Sequence, residues 1–551
     1  MVQVCNIASF LPQQARERPH ALAVVCPHGR DRTGRRTYSH LTYLQLDAWS
    51  DQIARGLLVY GLQRGDRAVL MVTPGLPFFA LTFALFKAGI VPVLVDPGLG
   101  VAQLRQCIDG AEPTAFIGIA KAHLARVVLG WGRPTLRHQI FVGTRLGWGG
   151  ATLDEIAQLG ASGQPVLADT QPDETAAILF TSGSTGPAKG AIYQHRHFVA
   201  QVDLIRQMYG IEAGEIDLPT FPLFALFDPA LGMTTIVPDM DFARPAAVDP
   251  QMLLELIQDW GVTNVFGSPA LLATVAAHGV QQGVRWPTVK RVLSAGAPVP
   301  AAVLEAMQRI LPVSAQVFTP YGATESLPVA SIGSVEVLAQ TRALTESGHG
   351  VCVGRVAPQV DVRVIAITDT VLSDWEQVSE LAAGEIGEIC VLGATTTEAY
   401  FGKPTATALA KIARDGRTVH RMGDVGYFDP SGRLWYCGRK GHRVELADRT
   451  LHTAPVEEIF NTHPCVRRSA LVGVRIAGQT VPLICLELHQ DAKVSGKVLA
   501  CELRQLAENF TITRGIALFE EHPRFPVDIR HNAKIGREKL TVWAQRQVGG
   551  S

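Results

Sequence analysis

Phe180-Thr181-Ser182-Gly183-Ser184-Thr185-Gly186-Pro187-Ala188-Lys189-Gly190 is the stretch on which the fold turns. It follows an apolar run at 176–180 that reads as a buried strand. Its glycines free the backbone to curl, so that N–H groups converge on an anion. Ser and Thr hydroxyls add donors, and Lys189 adds positive charge. A strand that empties into such a loop is suited to polyphosphate. The order is not a Walker P-loop, because G-x-x-x-x-G-K-[ST] is absent from the chain, nor a lipase elbow, because G-x-S-x-G is absent too. An isolated Gly/Ser cluster would mean only a flexible turn. Ten residues with this order of Ser, Thr, Gly and Lys argue for a site.

Around this loop, short apolar runs alternate with helical stretches. Strands are expected at 69–72, 92–95, 176–180, 264–267, 291–295 and 316–319, with helical periodicity between them, as at 252–260 and 301–311. Strand–helix alternation argues for parallel sheets covered by helices. The apolar stretch 68–95 has the length of a membrane span, but Pro74, Pro77, Lys87 and Pro92 break it, so it reads as strand, turn, buried helix, strand. Near Gly438 the character changes to a small α+β unit: a helix around 456–461, strands at 470–474 and 481–488, and a helix near 499–508. The expected division is therefore 1–438 and 439–551.

The totals exclude several classes. The 551 residues are enough for one large domain and a small one. Lys+Arg and Asp+Glu are both 50, which leaves no electrostatic footprint for nucleic acid or anionic lipid. Nine cysteines without a C-x-x-C spacing read as reduced thiols of a cytoplasmic protein. Gln13, Arg16 and Arg18 interrupt the early apolar residues, so no signal peptide is expected.

Further motifs follow in a fixed order: Ser294-Ala295-Gly296-Ala297-Pro298, Tyr321-Gly322-Ala323-Thr324-Glu325, Gly384-Glu385-Ile386-Gly387-Glu388-Ile389, Arg421-Met422-Gly423-Asp424-Val425-Gly426, Gly438-Arg439, and His531-Asn532-Ala533-Lys534-Ile535-Gly536-Arg537. Together with the loop at 180–190, they resemble over nearly the whole chain the adenylate-forming superfamily of acyl-CoA synthetases, peptide-synthetase adenylation domains and luciferases. The resemblance implies an α/β fold: a large N-terminal adenylation domain of helix-flanked sheets plus a distorted β-barrel, with a small mobile α+β lid. It implies ATP and Mg²⁺ as cofactors. Thr181, Ser182, Gly183, Ser184, Thr185, Gly186 and Lys189 would hold phosphates, and Gly296, Ala297 and Pro298 would line the adenine pocket. Tyr321, with Gly322 and Ala323, would stack on adenine. Thr324 would meet the α-phosphate region, Glu325 would hold the metal, and Asp424 and Arg439 would bind ribose. Lys534 would be the catalytic lysine. A hard cation does favour carboxylate and phosphate oxygens, and a carboxylate can accept both ribose hydroxyls.

Departures sharpen the resemblance. Coenzyme A ligases of the superfamily usually carry a histidine near Pro222-Leu223-Phe224; here the chain continues Ala225-Leu226-Phe227-Asp228-Pro229. The hinge position is Gly441, and the stretch 446–452 blurs the usual post-hinge motif. Residues 219–232, 294–300 and 525–534 resemble the β-lactone synthetases of bacterial long-chain olefin biosynthesis. Those enzymes adenylate a 2-alkyl-3-hydroxy acid and let its own hydroxyl close on the carbonyl, releasing AMP. This implies a long-chain hydroxy acid substrate and other enzymes of the olefin pathway as partners, with no nucleic acid and no membrane span. The alternatives are a long-chain acyl-CoA or acyl-AMP ligase and a non-catalytic nucleotide binder. Asp228, His195 and His197 are candidates for the hydroxyl's base, though structural hydrogen bonds are the favoured reading of each.

Overall fold

The run at 68–95 folds as strand Arg67–Met71, helix Leu76–Ala88 and strand Val91–Leu94. Every residue of the helix from Phe78 onward is buried, because the helix lies in a core shared with helices Tyr43–Val59 and His195–Tyr209. Its one cation, Lys87, is buried and donates to Asp47 (2.6 Å) and Asp51 (2.8 Å). Two carboxylates at hydrogen-bond distance offset the cost of removing that ammonium from water. No helix among the described residues is long and apolar enough to cross a membrane.

This computed structural model describes residues 5–95, 99–145, 147–181, 188–490, 492, 494–527 and 535–549. A seven-stranded sheet runs in the order Ala151–Thr152, His138–Val142, Ala115–Ile119, Arg67–Met71, Val91–Leu94, Thr175–Thr181, Lys189–Gln194. All its pairs are parallel except the last, in which Thr181 pairs with Lys189. The segment between Thr181 and Lys189 therefore joins two adjacent strands.

A fourteen-stranded sheet has a parallel half and an antiparallel half. Strands Leu22–Arg30, Thr234–Ile236, Ile216–Pro219, Asn264–Phe266, Arg291–Leu293 and Gln316–Ala323 are parallel neighbours. Gln316–Ala323 then turns back into Ser326–Gly333, and the sheet continues antiparallel through Val351–Val356, Leu434–Arg439, Arg417–Phe428, Gly387–Leu392 and Asp361–Ile365. The strands expected as a distorted barrel are this antiparallel half. It stays joined to the parallel half, and among the described residues it does not close on itself.

After Arg439 the pattern changes. Val466–Ile476, Gln479–Leu488 and Leu518–Glu521 form a separate three-stranded sheet. Leu471, Ile484 and Leu486 pack with helices Thr453–Phe460 and Gly496–Glu508, while Ala470, Val472, Leu483 and Cys485 pack with helix Arg537–Gly549. Side chains alternate faces along a strand, so each face has its own helical cover. This unit rests on the large one at glycines: a Cβ on Gly438 (φ +125°) would lie 2.2 Å from Thr453 Oγ1, and one on Gly348 (φ +90°) would lie 2.6 Å from Ile512 Cδ1.

Asp217 and Asp228 are both buried in the parallel half. They are hydrogen-bonded to each other, and Thr235 Oγ1 donates to Asp228 at 2.8 Å. Burial raises both carboxyls above the ordinary 3.8, the mutual repulsion adds for Asp228, and Arg291 only partly offsets the rise at Asp217. The pair holds a proton that the unfolded chain releases. Its contribution to stability is thus complete below the unfolded value and lost as pH rises through the folded one. Asp217→Asn removes the share of this dependence that Asp217 carries, while the buried Asp228 keeps its own. The variant's melting temperature relative to the parent should climb by about a few degrees between pH 5 and pH 8. Thermal melts at the two pH values check this, and a difference that does not move with pH refutes it.

Candidate active site

The sheet geometry brings separate motifs to one place. Thr181, Leu293 and Ala323 end parallel strands, and the chain beyond each carries a motif residue. The crevice outside the carboxyl ends of strands is where open α/β sheets bind ligands. Ser182, Gly183, Ser184, Thr185 and Gly186 lie outside the described residues. Lys189 opens the following strand, and its Nζ stands 5.2 Å from the centre of the Tyr400 ring.

Gly296, Ala297 and Pro298 form the loop after Arg291–Leu293, with Gly296 at φ +98°, a conformation glycine adopts without strain. Tyr321, Gly322 and Ala323 close the next strand, and Thr324 and Glu325 make the turn beyond it. That turn is fixed from below, because Tyr193 Oη donates to the Thr324 carbonyl. The Thr397 amide (2.8 Å) and hydroxyl (3.1 Å) both donate to the Glu325 carbonyl. The Glu325 side chain is buried, and Tyr400 Oη donates to its Oε1 at 2.6 Å.

Asp424 and Arg439 are directly opposite each other on strands Arg417–Phe428 and Leu434–Arg439. Cross-strand partners lie close enough to interact, and Arg439 Nη1 is 3.1 Å from Asp424 Oδ1. Tyr321 Oη donates to Asp424 Oδ2 at 2.7 Å. Residues of three motifs, with Tyr321 lying 103 residues before Asp424, thus meet at one carboxylate. Asp424 holds the Arg439 guanidinium firmly protonated, and burial together with Asp424 pushes the Tyr321 phenol far above its ordinary value. At neutral pH both stay donors.

Lys534 lies outside the described residues. Its flanks are placed: Val527 and Ile535 pair across the segment, and the Gly536 amide donates to the Pro526 carbonyl at 2.7 Å. Arg537, at the end of the lysine motif, is taken up by Glu457, with Nη2 to Oε2 at 2.6 Å and a second contact from Nη1 to Oε1. The arginine of that pattern therefore anchors the segment to the C-terminal unit.

Each of the candidate bases is already engaged by a hydrogen bond within the protein, although His197 Nε2 is buried without a partner. Asp228 shares its proton with Asp217 and accepts from Thr235. His195 Nδ1 accepts from the Ile7 amide at 3.2 Å, and His197 Nδ1 from the Gln194 amide at 3.0 Å. Burial pulls these imidazoles down to about 4 and about 3, so both are neutral. The two rings serve different backbone groups and are not a metal pair.

Sequence reasoning missed Tyr400, Thr397 and Lys411. Lys411 is buried, and its ammonium donates to the Thr397 carbonyl and, at 3.3 Å, to Thr397 Oγ1. Burial lowers it to about 7 against the pull of Glu325 and Glu398. No motif spacing marks these residues; only the fold brings them behind Glu325.

Comparisons with known proteins bear on the family and the fold. A family model described as "AMP-binding enzyme" matches residues 11–401. The olefin beta-lactone synthetase of Stenotrophomonas maltophilia (strain K279a) is 54% identical over 556 residues, covering 100% of this chain and 99% of the relative. That of Xanthomonas campestris pv. campestris is 53% identical over 554 residues, covering 99% of each chain. Among solved structures, the amide bond synthetase McbA from Marinactinospora thermotolerans superposes with a TM-score of 0.79 at 21% identity, covering 98% of this chain and 99% of that one, which shows a shared fold. The chain belongs to the AMP-binding enzyme family and, within it, to the family of the olefin beta-lactone synthetases, and is an adenylate-forming enzyme.

Proposed function

We propose that the protein activates a long-chain 2-alkyl-3-hydroxy acid with ATP and Mg²⁺ and then closes the acid's own hydroxyl onto the activated carbonyl. The products are a β-lactone, AMP and pyrophosphate. The observation that carries this reading is the full-length likeness to two olefin beta-lactone synthetases, joined to the meeting of Tyr321, Asp424 and Arg439 around one carboxylate.

In this reading Tyr321 presents its ring to adenine, steadied through its hydroxyl, and Gly296, Ala297 and Pro298 line the same pocket. Asp424 and Arg439 take the ribose hydroxyls. Residues 181–186 and Lys189 hold the phosphates, with Thr324 at the α-phosphate. Among the described residues no group of three acidic, His or Cys side chains could hold a metal alone. One buried carboxylate, Glu325, fits Mg²⁺ that takes its other ligands from ATP and water. The cation supplies charge neutralisation at the phosphates when bound. Carboxylate and triphosphate repel, so the chain's own work is to position them and spread the charge, with Lys534 bridging the attacking carboxylate and the α-phosphate. Anhydride cleavage then offsets the strain of the four-membered ring, and the tethered hydroxyl makes closure intramolecular. A division into 1–438 and 439–551 belongs to the same reading, with the lid bringing Lys534 to the site.

Incubation of the purified protein with ATP, Mg²⁺ and a synthetic 2-alkyl-3-hydroxy acid, without coenzyme A, should yield β-lactone and AMP by NMR; a thioester formed only when coenzyme A is added would overturn the reading. Lys534→Ala should lower adenylation by on the order of 10²–10³ with ATP binding nearly unchanged, and an unaltered rate of pyrophosphate exchange would remove the lysine from the mechanism. Asp424→Asn should weaken ATP binding roughly 10- to 100-fold by calorimetry, since it loses the charge that Arg439 and the ribose share; unchanged affinity would place the ribose elsewhere.

A further inference from the structure

The side of the site behind Glu325 contains a closed set of contacts that the proposed reaction leaves unused. Residues 399–401 lie along the strand that leaves the phosphate loop: Tyr400 bridges Ala191, the Ile192 amide donates to the Ala399 carbonyl (3.1 Å), and the Phe401 amide donates to the Gly190 carbonyl (2.8 Å). Tyr400 is thereby fixed to the phosphate-loop strand through its backbone and to Glu325 through its hydroxyl. Two lysine amines stand over its ring, Lys189 Nζ at 5.2 Å and Lys411 Nζ at 5.9 Å from the ring centre. Both are within the range of cation–π attraction. Lys411 holds Thr397, and Thr397 holds the Glu325 backbone. Backbone and carboxylate of Glu325 are therefore both gripped by the segment 397–411.

A carboxylate has two oxygens. Tyr400 occupies Oε1 of Glu325, which orients the group and directs Oε2 to whatever the site binds. We infer that Tyr400 is a positioning residue that sets the Glu325 carboxylate for the divalent cation and ties it to Lys189 of the phosphate loop. The inference rests on the reading of Glu325 as the cation's carboxylate. Hydrogen-bonded partners of metal ligands typically contribute 10- to 100-fold to metal affinity.

The test is Mn²⁺ binding to the full chain, read by electron paramagnetic resonance, in the presence of an ATP analogue with a methylene between its α- and β-phosphates. Tyr400→Phe removes only the hydroxyl and should weaken Mn²⁺ binding by about tenfold. AMP binding without metal should be unchanged, which confirms a folded site. Glu325→Gln should weaken Mn²⁺ at least as much, and adding Tyr400→Phe to it should have no further effect, because the two act through one carboxylate. If Glu325→Gln weakens Mn²⁺ while Tyr400→Phe does not, the positioning role is overturned and the Glu325 assignment stands. The role is equally overturned if Tyr400→Phe weakens binding by the same factor in both backgrounds, since that is a general structural effect. If Glu325→Gln binds Mn²⁺ like the parent, the assignment of Glu325 itself fails and the inference falls with it.

Discussion

The reversal at Thr324-Glu325, where the last parallel strand of the large sheet turns into its first antiparallel neighbour, is the constraint on which the site depends. Up to that turn, strands deliver loops to one edge, in the manner of any open parallel sheet. Beyond it the sheet returns and carries Asp424 and Arg439 back to Tyr321. A carboxylate at the turn could not hold a fixed position on loop backbone alone. Glu325 is therefore held from outside the sheet, by Thr397 at its carbonyl and Tyr400 at its side chain. The cost of burying that carboxylate is met by donors that stay protonated, since burial and Glu325 push the Tyr400 phenol far above its ordinary value.

Much of this was legible in the sequence, because the information is local. The strand, helix and strand of 67–94 and the helices and strands expected between 456 and 508 are each set by a contiguous run whose pattern matches its surroundings. The strand expected at 316–319 is longer in the structure, Gln316–Ala323, since pairing with Ser326–Gly333 extends it through a proline and a glycine that local reasoning treats as breakers. Strand Leu518–Glu521 and helix Arg537–Gly549 went unread for the converse reason: two of the strand's four residues are glutamate, and the helix buries only Leu540 and Ala544. Tyr400 was invisible because its partner is 75 residues away. The favoured structural reading of Asp228, His195 and His197 matches their partners, all of which are backbone groups or neighbours in the core.

The contacts around Gly441, the residue read from the sequence as a hinge, bear on the proposed chemistry. Lys440 donates to the Thr368 carbonyl (2.8 Å) and stands 3.2 Å from Glu388, which is itself paired with the buried Arg421 at 2.6 Å. Arg443 reaches Asp369 at 3.4 Å, and Lys440 reaches the same carboxylate at the same distance. These contacts pin residues on both sides of Gly441 to the large unit. A rotation of the C-terminal unit about Gly441 would part Arg443 from the exposed Asp369, while Lys440 and the Glu388–Arg421 pair stay with the large unit, and an exposed ion pair of this kind is worth little. An enzyme that must admit an external thiol after adenylation needs a second lid position. A tethered hydroxyl is already beside the carbonyl when the anhydride forms, so the lactone reaction imposes no such demand. If the second nucleophile arrives with the first, as proposed, the contacts of Lys440 and Arg443 can persist through both half-reactions.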